Sequence, residues 1–152
     1  MLVALAVGLV LAGASPHRVG QAGVTLVLPG GWSSVPLVLP PPDGNDPVTR
    51  IVIASTPIRF GQCNDISYRF AATGVAIVVL EYRTRTVGSF PPRPRHFHLS
   101  LQQRLDCHVG RGGSVQFTDH ARRFDAFILL GPRASATLGR RALRVLDTLR
   151  VR

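Results

Sequence analysis

The run VAIVVLEY at residues 75–82 restricts the fold most, because its first six residues are all apolar. A strand of this composition has no polar side to turn toward solvent. It is typical of a central strand that other parts of the chain cover on both faces. We therefore expect a sheet built around residues 75–82, with further elements packed on it.

Several other segments show the alternation or the branched apolar residues that are typical of strands. Residues 119–122 suit a turn between two strands, and Gly131 with Pro132 ends the second of these. Strands are predicted at residues 24–28, 50–55 and 96–101, and a hairpin is predicted from residues 114–118 and 123–130.

Two segments are predicted to form amphipathic helices. Asn64 or Asp65 caps the first, and Ile66 and Phe70 lie on its apolar side. The second begins after Ser135 and carries leucines on one side and arginines on the other. These elements predict an α+β fold, a mostly antiparallel sheet of about five strands with two amphipathic helices packed on it.

Residues 1–14, MLVALAVGLVLAGA, have the apolar character and the small terminal residues of an export leader. No Lys or Arg precedes the run, so an uncleaved anchor and a folded element stay open as alternatives. The predicted organisation is a signal peptide or N-terminal anchor at 1–14, a linker at 15–23 and a single domain at 24–152. The predicted location is extracytoplasmic, either secreted or associated with the cell envelope.

The chain has two cysteines, Cys63 and Cys107. An even number of cysteines in an exported protein favours a disulfide. Two separate buried thiols are the alternative, and they fit better if the export prediction is wrong.

The chain carries a net charge of +10, and all of its 18 basic residues are arginines. GC-rich coding explains the absence of Lys, while selection for bidentate contacts to anions is the functional alternative. A basic surface attracts anionic envelope polymers, lipids or protein partners.

The aromatic residues lie mainly in apolar segments, so no specific nucleic-acid signature is present. Trp32 is the best candidate for an exposed aromatic residue. Six arginines are candidates for an anion-binding face: Arg93, Arg95, Arg122, Arg123, Arg140 and Arg141.

Three histidines are candidates for a metal site, namely His96, His98 and His108. His96 and His98 would share one face of a strand, and Asp106 could add a carboxylate ligand. A hydrogen-bonded structural role for these histidines is the alternative. No catalytic residue and no cofactor are predicted, because the chain has no nucleophile elbow, no phosphate-binding glycine loop and no zinc-protease motif.

The first predicted strand ends in residues 28–32 (LPGGW), the predicted strand at 50–55 comes next, and a closing amphipathic helix runs into residues 146–151 (LDTLRV). With the apolar central strand and the hairpin, this order resembles the PsbP-like fold of photosystem II extrinsic proteins and exported actinobacterial lipoproteins of the LpqN type. The resemblance implies a non-catalytic accessory or binding protein. It transfers no catalytic motif, and the anchoring cysteine of the lipoproteins is missing after the leader.

The sequence thus predicts an exported accessory or ligand-binding protein without catalytic activity, whose basic surface binds anionic partners. The alternative is a metal-dependent or hydrolytic extracytoplasmic enzyme that uses the region of His96, His98 and His108.

Overall fold

The computed structural model describes residues 15–35, 46–61, 63, 66–84 and 88–152. The predicted leader at 1–14 and the predicted helix caps Asn64 and Asp65 lie outside these residues. In chain order the elements are β1 (His17–Gln21), β2 (Val24–Leu28), β3 (Ser33–Ser34), β4 (Val48–Ala54), β5 (Ile58–Phe60), β6 (Tyr68–Phe70), β7 (Val75–Tyr82), β8 (Arg111–Asp119), β9 (Arg122–Leu130), α1 (Ala136–Leu146) and β10 (Arg150–Val151).

The largest sheet has five antiparallel strands in the order β3-β4-β7-β9-β8. β7 lies at its centre, as residues 75–82 predict, and is buried from Val75 to Glu81. β8 and β9 form the predicted hairpin, in which Asp119 pairs with Arg122. His120 and Ala121 between them have φ values of 49° and 59°. Positive φ at both central residues gives a tight turn whose twist matches that of the strands.

One face of this sheet packs against β2 and α1 and forms the larger hydrophobic core. Val75, Ile77 and Val79 of β7 point into this core, together with Phe117 and Phe124. β2 contributes Val24, Leu26 and Leu28, which alternate with less buried residues. Burying alternate residues of β2 in this way leaves its other side to the surface.

The opposite face packs against the two-stranded ribbon of β5 and β6. Ala76, Val78 and Leu80 of β7 point toward it, and Ile66 and Tyr68 cover them. Both faces of β7 are therefore covered, which explains why a strand with no polar side is stable at this position.

The ribbon corrects the predicted fold class. Residues that were expected to form the first amphipathic helix form β6 instead, paired with β5, so that α1 is the one α-helix among the described residues. Ile66, Tyr68 and Phe70 recur at every second residue, which is the period of a strand. The fold is a β-rich one with a single short helix, and the α+β prediction with two helices is wrong.

β1, β2 and β10 form a second, three-stranded antiparallel sheet. The predicted linker at residues 15–23 therefore includes β1 and its turn to β2. Most of β1 is exposed, and this explains why its polar sequence shows no apolar pattern. The turn has Ala22 and Gly23 at φ values of 50° and 76°, again suited to a tight hairpin.

The predicted strand at residues 96–101 is also wrong. This segment is irregular and lies along the outer edge of β8. Two isolated bridges join the chain on either side of it to β8, one between Pro92 and Thr118 and one between Gln103 and Gly112. A covered edge is protected from pairing with another chain.

The second predicted helix is confirmed as α1. Ser135 caps it, and the Ser135 hydroxyl accepts a hydrogen bond from the backbone N–H of Leu138 at 3.1 Å. Ala142, Val145 and Leu146 face the core, while Arg140, Arg141 and Arg144 remain exposed.

Candidate functional site

Cys63 and Cys107 form a disulfide, as the paired cysteines predict. Cys63 lies in the connection between β5 and β6, and Cys107 lies in the segment that precedes β8. The bridge joins positions 44 residues apart, with their Cα atoms 5.9 Å from each other. It ties the ribbon to a segment with which it shares no strand pairing.

A groove of about 720 Å³ opens beside this disulfide, between β6, the segment after Cys107 and the end of β9. Gly131 allows the close approach of these parts, because a Cβ there would lie 2.3 Å from the carbonyl oxygen of Ala72. The residues that line the groove are Cys63, Ser67, Tyr68, Arg69, Phe70, Ala72, Cys107, His108, Val109, Gly131 and Pro132.

A hydrogen bond and a stacked ring hold the His108 side chain in place within this groove. Its Nε2 lies 2.9 Å from the carbonyl oxygen of Leu130, which can only accept, so Nε2 carries the proton. Its ring stacks on that of Phe70, with centroids 5.7 Å apart. Nδ1 is buried and has no hydrogen-bond partner among the described residues. His108 therefore helps to fix the wall of the groove on β6.

The groove combines aromatic and aliphatic surface with positive charge. Tyr68 and Phe70 supply rings, Val109 is 83% exposed, and Arg69 is exposed on the ribbon. No carboxylate is among the described residues that line it. An environment of this kind favours ligands that pair an apolar or flat body with negative charge.

The three candidate metal-binding histidines are not brought together. The imidazole of His96 is 3.4 Å from the carboxylate of Asp147, at the end of α1, and His98 is exposed. His108 stacks on Phe70, which packs against the opposite face of the large sheet. Within the described ranges, no group of three or more His, Cys, Asp or Glu residues is placed to hold a metal ion.

Three of the six candidate anion-binding arginines lie near the β8–β9 turn and donate to acceptors of the protein itself. Arg122 binds Glu81, Arg123 donates to the carbonyl oxygen of Thr84, and Arg93 lies 3.7 Å from Asp119. Acceptors of the protein itself therefore engage these three guanidinium groups in part.

The other three arginines are exposed, and two of them are on α1. The guanidinium of Arg141 lies 5.7 Å from the ring centroid of Trp32. Trp32 itself is only 8% exposed and belongs to the larger core, so the prediction of an exposed tryptophan is wrong. Arg140 donates to the hydroxyl of Thr137, and Arg95 is exposed.

A different pair of arginines, which the sequence analysis did not single out, lies on the ribbon beside the groove. Arg59 of β5 and Arg69 of β6 are directly opposite each other in the register, and both are exposed. The signal was present in the two similar triplets IRF and YRF, each with an arginine between apolar residues. A helix over the second triplet would not place these arginines opposite each other, and only the pairing of β6 with β5 does so.

Asp125 is a buried acid outside the groove, on β9. It is 6% exposed, and its Oδ2 accepts a hydrogen bond from the Gln116 side chain at 3.3 Å, while Oδ1 has no partner. Burial raises the pKa of the Asp125 carboxyl to about 6, and the hydrogen bond from Gln116 opposes this change only in part.

No family model, curated protein or solved structure matches the chain. The resemblance to the PsbP-like fold therefore stays a prediction. Among the described residues, no helix has the length and apolar character that crossing a membrane requires.

Proposed function

We propose that the chain is a non-catalytic binding protein that works outside the cytoplasm, and that its ligand binds in the groove beside the disulfide. The observation that carries this proposal is the groove itself, a volume of about 720 Å³ with aromatic walls and no lining carboxylate among the described residues. Ligand sites are concave, mostly apolar and equipped with a few polar groups.

The disulfide supports both parts of the proposal. Disulfides persist in oxidising surroundings, as expected for a chain that is exported by the leader predicted at residues 1–14. Both of its half-cystines line the groove, so the bridge holds the two walls together. A preformed site loses less conformational entropy when it binds a ligand. The predicted resemblance to PsbP-like proteins points to the same accessory role.

Anilinonaphthalene sulfonate is a suitable probe, because it joins aromatic rings to an anionic group. We expect the native protein to bind it at one saturable site, measured by fluorescence titration. Val109→Asp places a negative charge in the groove at a residue that is 83% exposed, so the fold should tolerate it. Affinity should fall roughly tenfold, which is about 1.4 kcal/mol.

Ala121→Asp is the matched control, because Ala121 is an exposed apolar residue in the β8–β9 turn, at the opposite end of β9 from the lining residues Gly131 and Pro132. It should leave the affinity unchanged. Absence of saturable binding to the native protein, or an equal loss in both variants, would contradict the proposal.

A further inference from the structure

We propose that the bridge between Cys63 and Cys107 is a site of thiol–disulfide exchange, and that its reduction by a dithiol weakens ligand binding in the groove. The proposal rests on the proposed function, because the regulated site is the same groove. The dithiol is the substrate of the exchange, and the bridge is the bond that it opens.

Both half-cystines lie where a second thiol can reach them. Cys63 and Cys107 are exposed, and both line the groove. Exchange requires a thiolate to approach one of the two sulfur atoms, so its rate depends on access to them. Exposed disulfides are more easily reduced than structural ones and are typical of labile or regulatory bonds. The position of this bridge therefore suits a bond that is opened in the folded protein.

The backbone at Cys107 has a conformation that disfavours cysteine. The backbone N–H of His108 donates to the carbonyl oxygen of Leu105 at 3.1 Å, which closes a tight turn with Cys107 as its third residue. Cys107 has a φ of 64°. Glycine or asparagine usually occupies a turn position with positive φ, because a larger side chain is unfavourable in the left-handed region. Opening the bridge allows this turn to relax, which favours the reduced state.

Each wall of the groove is attached to the large sheet independently of the bridge. On one wall, Nε2 of His108 donates to the carbonyl oxygen of Leu130 at 2.9 Å, and Leu105 packs against the core on the ribbon face of the sheet. On the other wall, the carbonyl oxygen of Ala72 accepts a hydrogen bond from the backbone N–H of Arg133 at 2.8 Å. Reduction should therefore separate the walls without unfolding the sheet.

The bridge is the covalent contact between the two walls. The stack of His108 on Phe70, with centroids 5.7 Å apart, is a noncovalent contact between them. In the described part of the chain, β6 pairs with β5 and has no strand pairing with the segment around Cys107. Once the bridge is open, the walls can shift relative to each other, and a site with mobile walls loses more conformational entropy when it binds a ligand.

The exchange takes place in two steps. A thiolate of the dithiol attacks one sulfur of the bridge, the S–S bond breaks, and a mixed disulfide forms while the other cysteine leaves as a thiolate. The second thiol of the reductant then attacks the mixed disulfide and releases the remaining cysteine. The protein gains two electrons and two protons, and the dithiol is oxidised to a disulfide.

The test measures the affinity of the full chain for anilinonaphthalene sulfonate before and after reduction by dithiothreitol. Affinity should fall roughly tenfold on reduction and return on reoxidation. Alkylation followed by intact mass measurement counts the free thiols, and far-ultraviolet circular dichroism should keep a β-sheet spectrum. Cys63→Ser/Cys107→Ser is the matched control. Dithiothreitol should leave its probe binding unchanged, which excludes an effect of the reagent on the probe.

The rate of reduction shows whether the exchange occurs in the folded protein. For an accessible bridge, the rate should be proportional to the dithiothreitol concentration and nearly independent of urea below the unfolding transition. A rate that rises with urea in parallel with global unfolding would overturn the proposal, because the bridge would then react only in the unfolded chain.

Two further outcomes would also overturn the proposal. One is loss of the β-sheet spectrum on reduction, which would make the bridge necessary for the fold as a whole. The other is unchanged probe affinity in the fully reduced protein, in which case the groove remains a ligand site and only its regulation falls. If the oxidised protein binds no probe, the proposed function itself fails and the regulation fails with it.

Discussion

Arg122 binds both carboxylate oxygens of Glu81, with Nε 2.8 Å from Oε1 and Nη2 2.8 Å from Oε2. Glu81 lies near the end of the central strand β7 and is only 7% exposed. Arg50 of β4 donates to Oε2 from the other side at 2.5 Å. The sole glutamate of the sequence thus joins the strands on both sides of β7 through charge-assisted hydrogen bonds.

Arg122→Ala is expected to lower the free energy of unfolding by about 2 kcal/mol, because Glu81 stays buried with only Arg50 to stabilise its charge. Urea denaturation at pH 7 measures the change. Arg144→Ala, at an exposed position of α1, is the control and should change stability by less than about 0.5 kcal/mol.

The effect of Arg122→Ala should shrink in acid. Burial alone would raise the pKa of the Glu81 carboxyl, but the hydrogen bonds from Arg122 and Arg50 outweigh it and hold this pKa below its ordinary value. The resulting stabilisation is present above the unfolded-state pKa and is lost as pH falls through the folded-state pKa. A difference that is constant from pH 7 down to pH 3 would exclude this account.

Asp125→Asn is expected to stabilise the protein at neutral pH. Burial raises the pKa of Asp125 from 3.8 to about 6, so the folded state holds a proton at pH values where the unfolded state has released it. Native stability should therefore fall as pH rises from about 4 to about 6, and the total loss is about 3 kcal/mol. The variant lacks this dependence, so its advantage should be near zero at pH 3.5 and largest above pH 7.

Thermal denaturation of the native protein and the Asp125→Asn variant from pH 3.5 to above pH 7 measures how the difference in stability grows with pH. A gain of equal size at all pH values would mean that the amide improves the packing, and that the titration of the carboxyl has no part in the effect.

Removal of the disulfide by Cys63→Ser/Cys107→Ser is expected to cost about 4 kcal/mol, because the bridge closes a loop between positions 44 residues apart. Chemical denaturation measures this cost. We also expect the double variant to lose the anilinonaphthalene sulfonate site while its far-ultraviolet circular dichroism keeps a β-sheet spectrum, since the five-stranded sheet does not include either cysteine. Unchanged stability together with unchanged probe binding would refute the structural role of the bridge.

Most of the large sheet could be predicted because its signals are local. β7 is a strand of continuous apolar residues, and β2 of the three-stranded sheet also follows its predicted bounds. The β8–β9 hairpin and the capped helix α1 depend on residues close to one another in sequence. Such elements need only the pattern of side chains and a suitable turn or cap.

The ribbon of β5 and β6 could not be predicted from the same rules. Ile66 and Phe70 are four residues apart, which matches the spacing of an apolar stripe on a helix. Ile66, Tyr68 and Phe70 are also spaced two residues apart, which matches the period of a strand. The choice between the two depends on pairing with β5 and on burial against β7, both of which involve residues distant in sequence. β1 was missed for a related reason, because an exposed strand needs little apolar pattern when it pairs with β2.

The candidate site was predicted only in part. The pairing of Cys63 with Cys107 followed from their number, since two cysteines allow a single intramolecular bridge. Some of the arginines predicted to bind anions instead form ion pairs with Glu81 and Asp119 of the protein itself. The opposed positions of Arg59 and Arg69 follow only from the strand register.

The amino-acid sequence by itself determined the positive charge of this protein, the central buried strand, the hairpin, the final helix and the one possible disulfide, because each depends on composition or on neighbouring residues. Tertiary structure alone decided that β6 is a strand, that a groove opens beside Cys107, and that Arg59 faces Arg69. These features arise where segments far apart in the chain come together, and their energies depend on burial and pairing between segments, which the local pattern of residues does not specify.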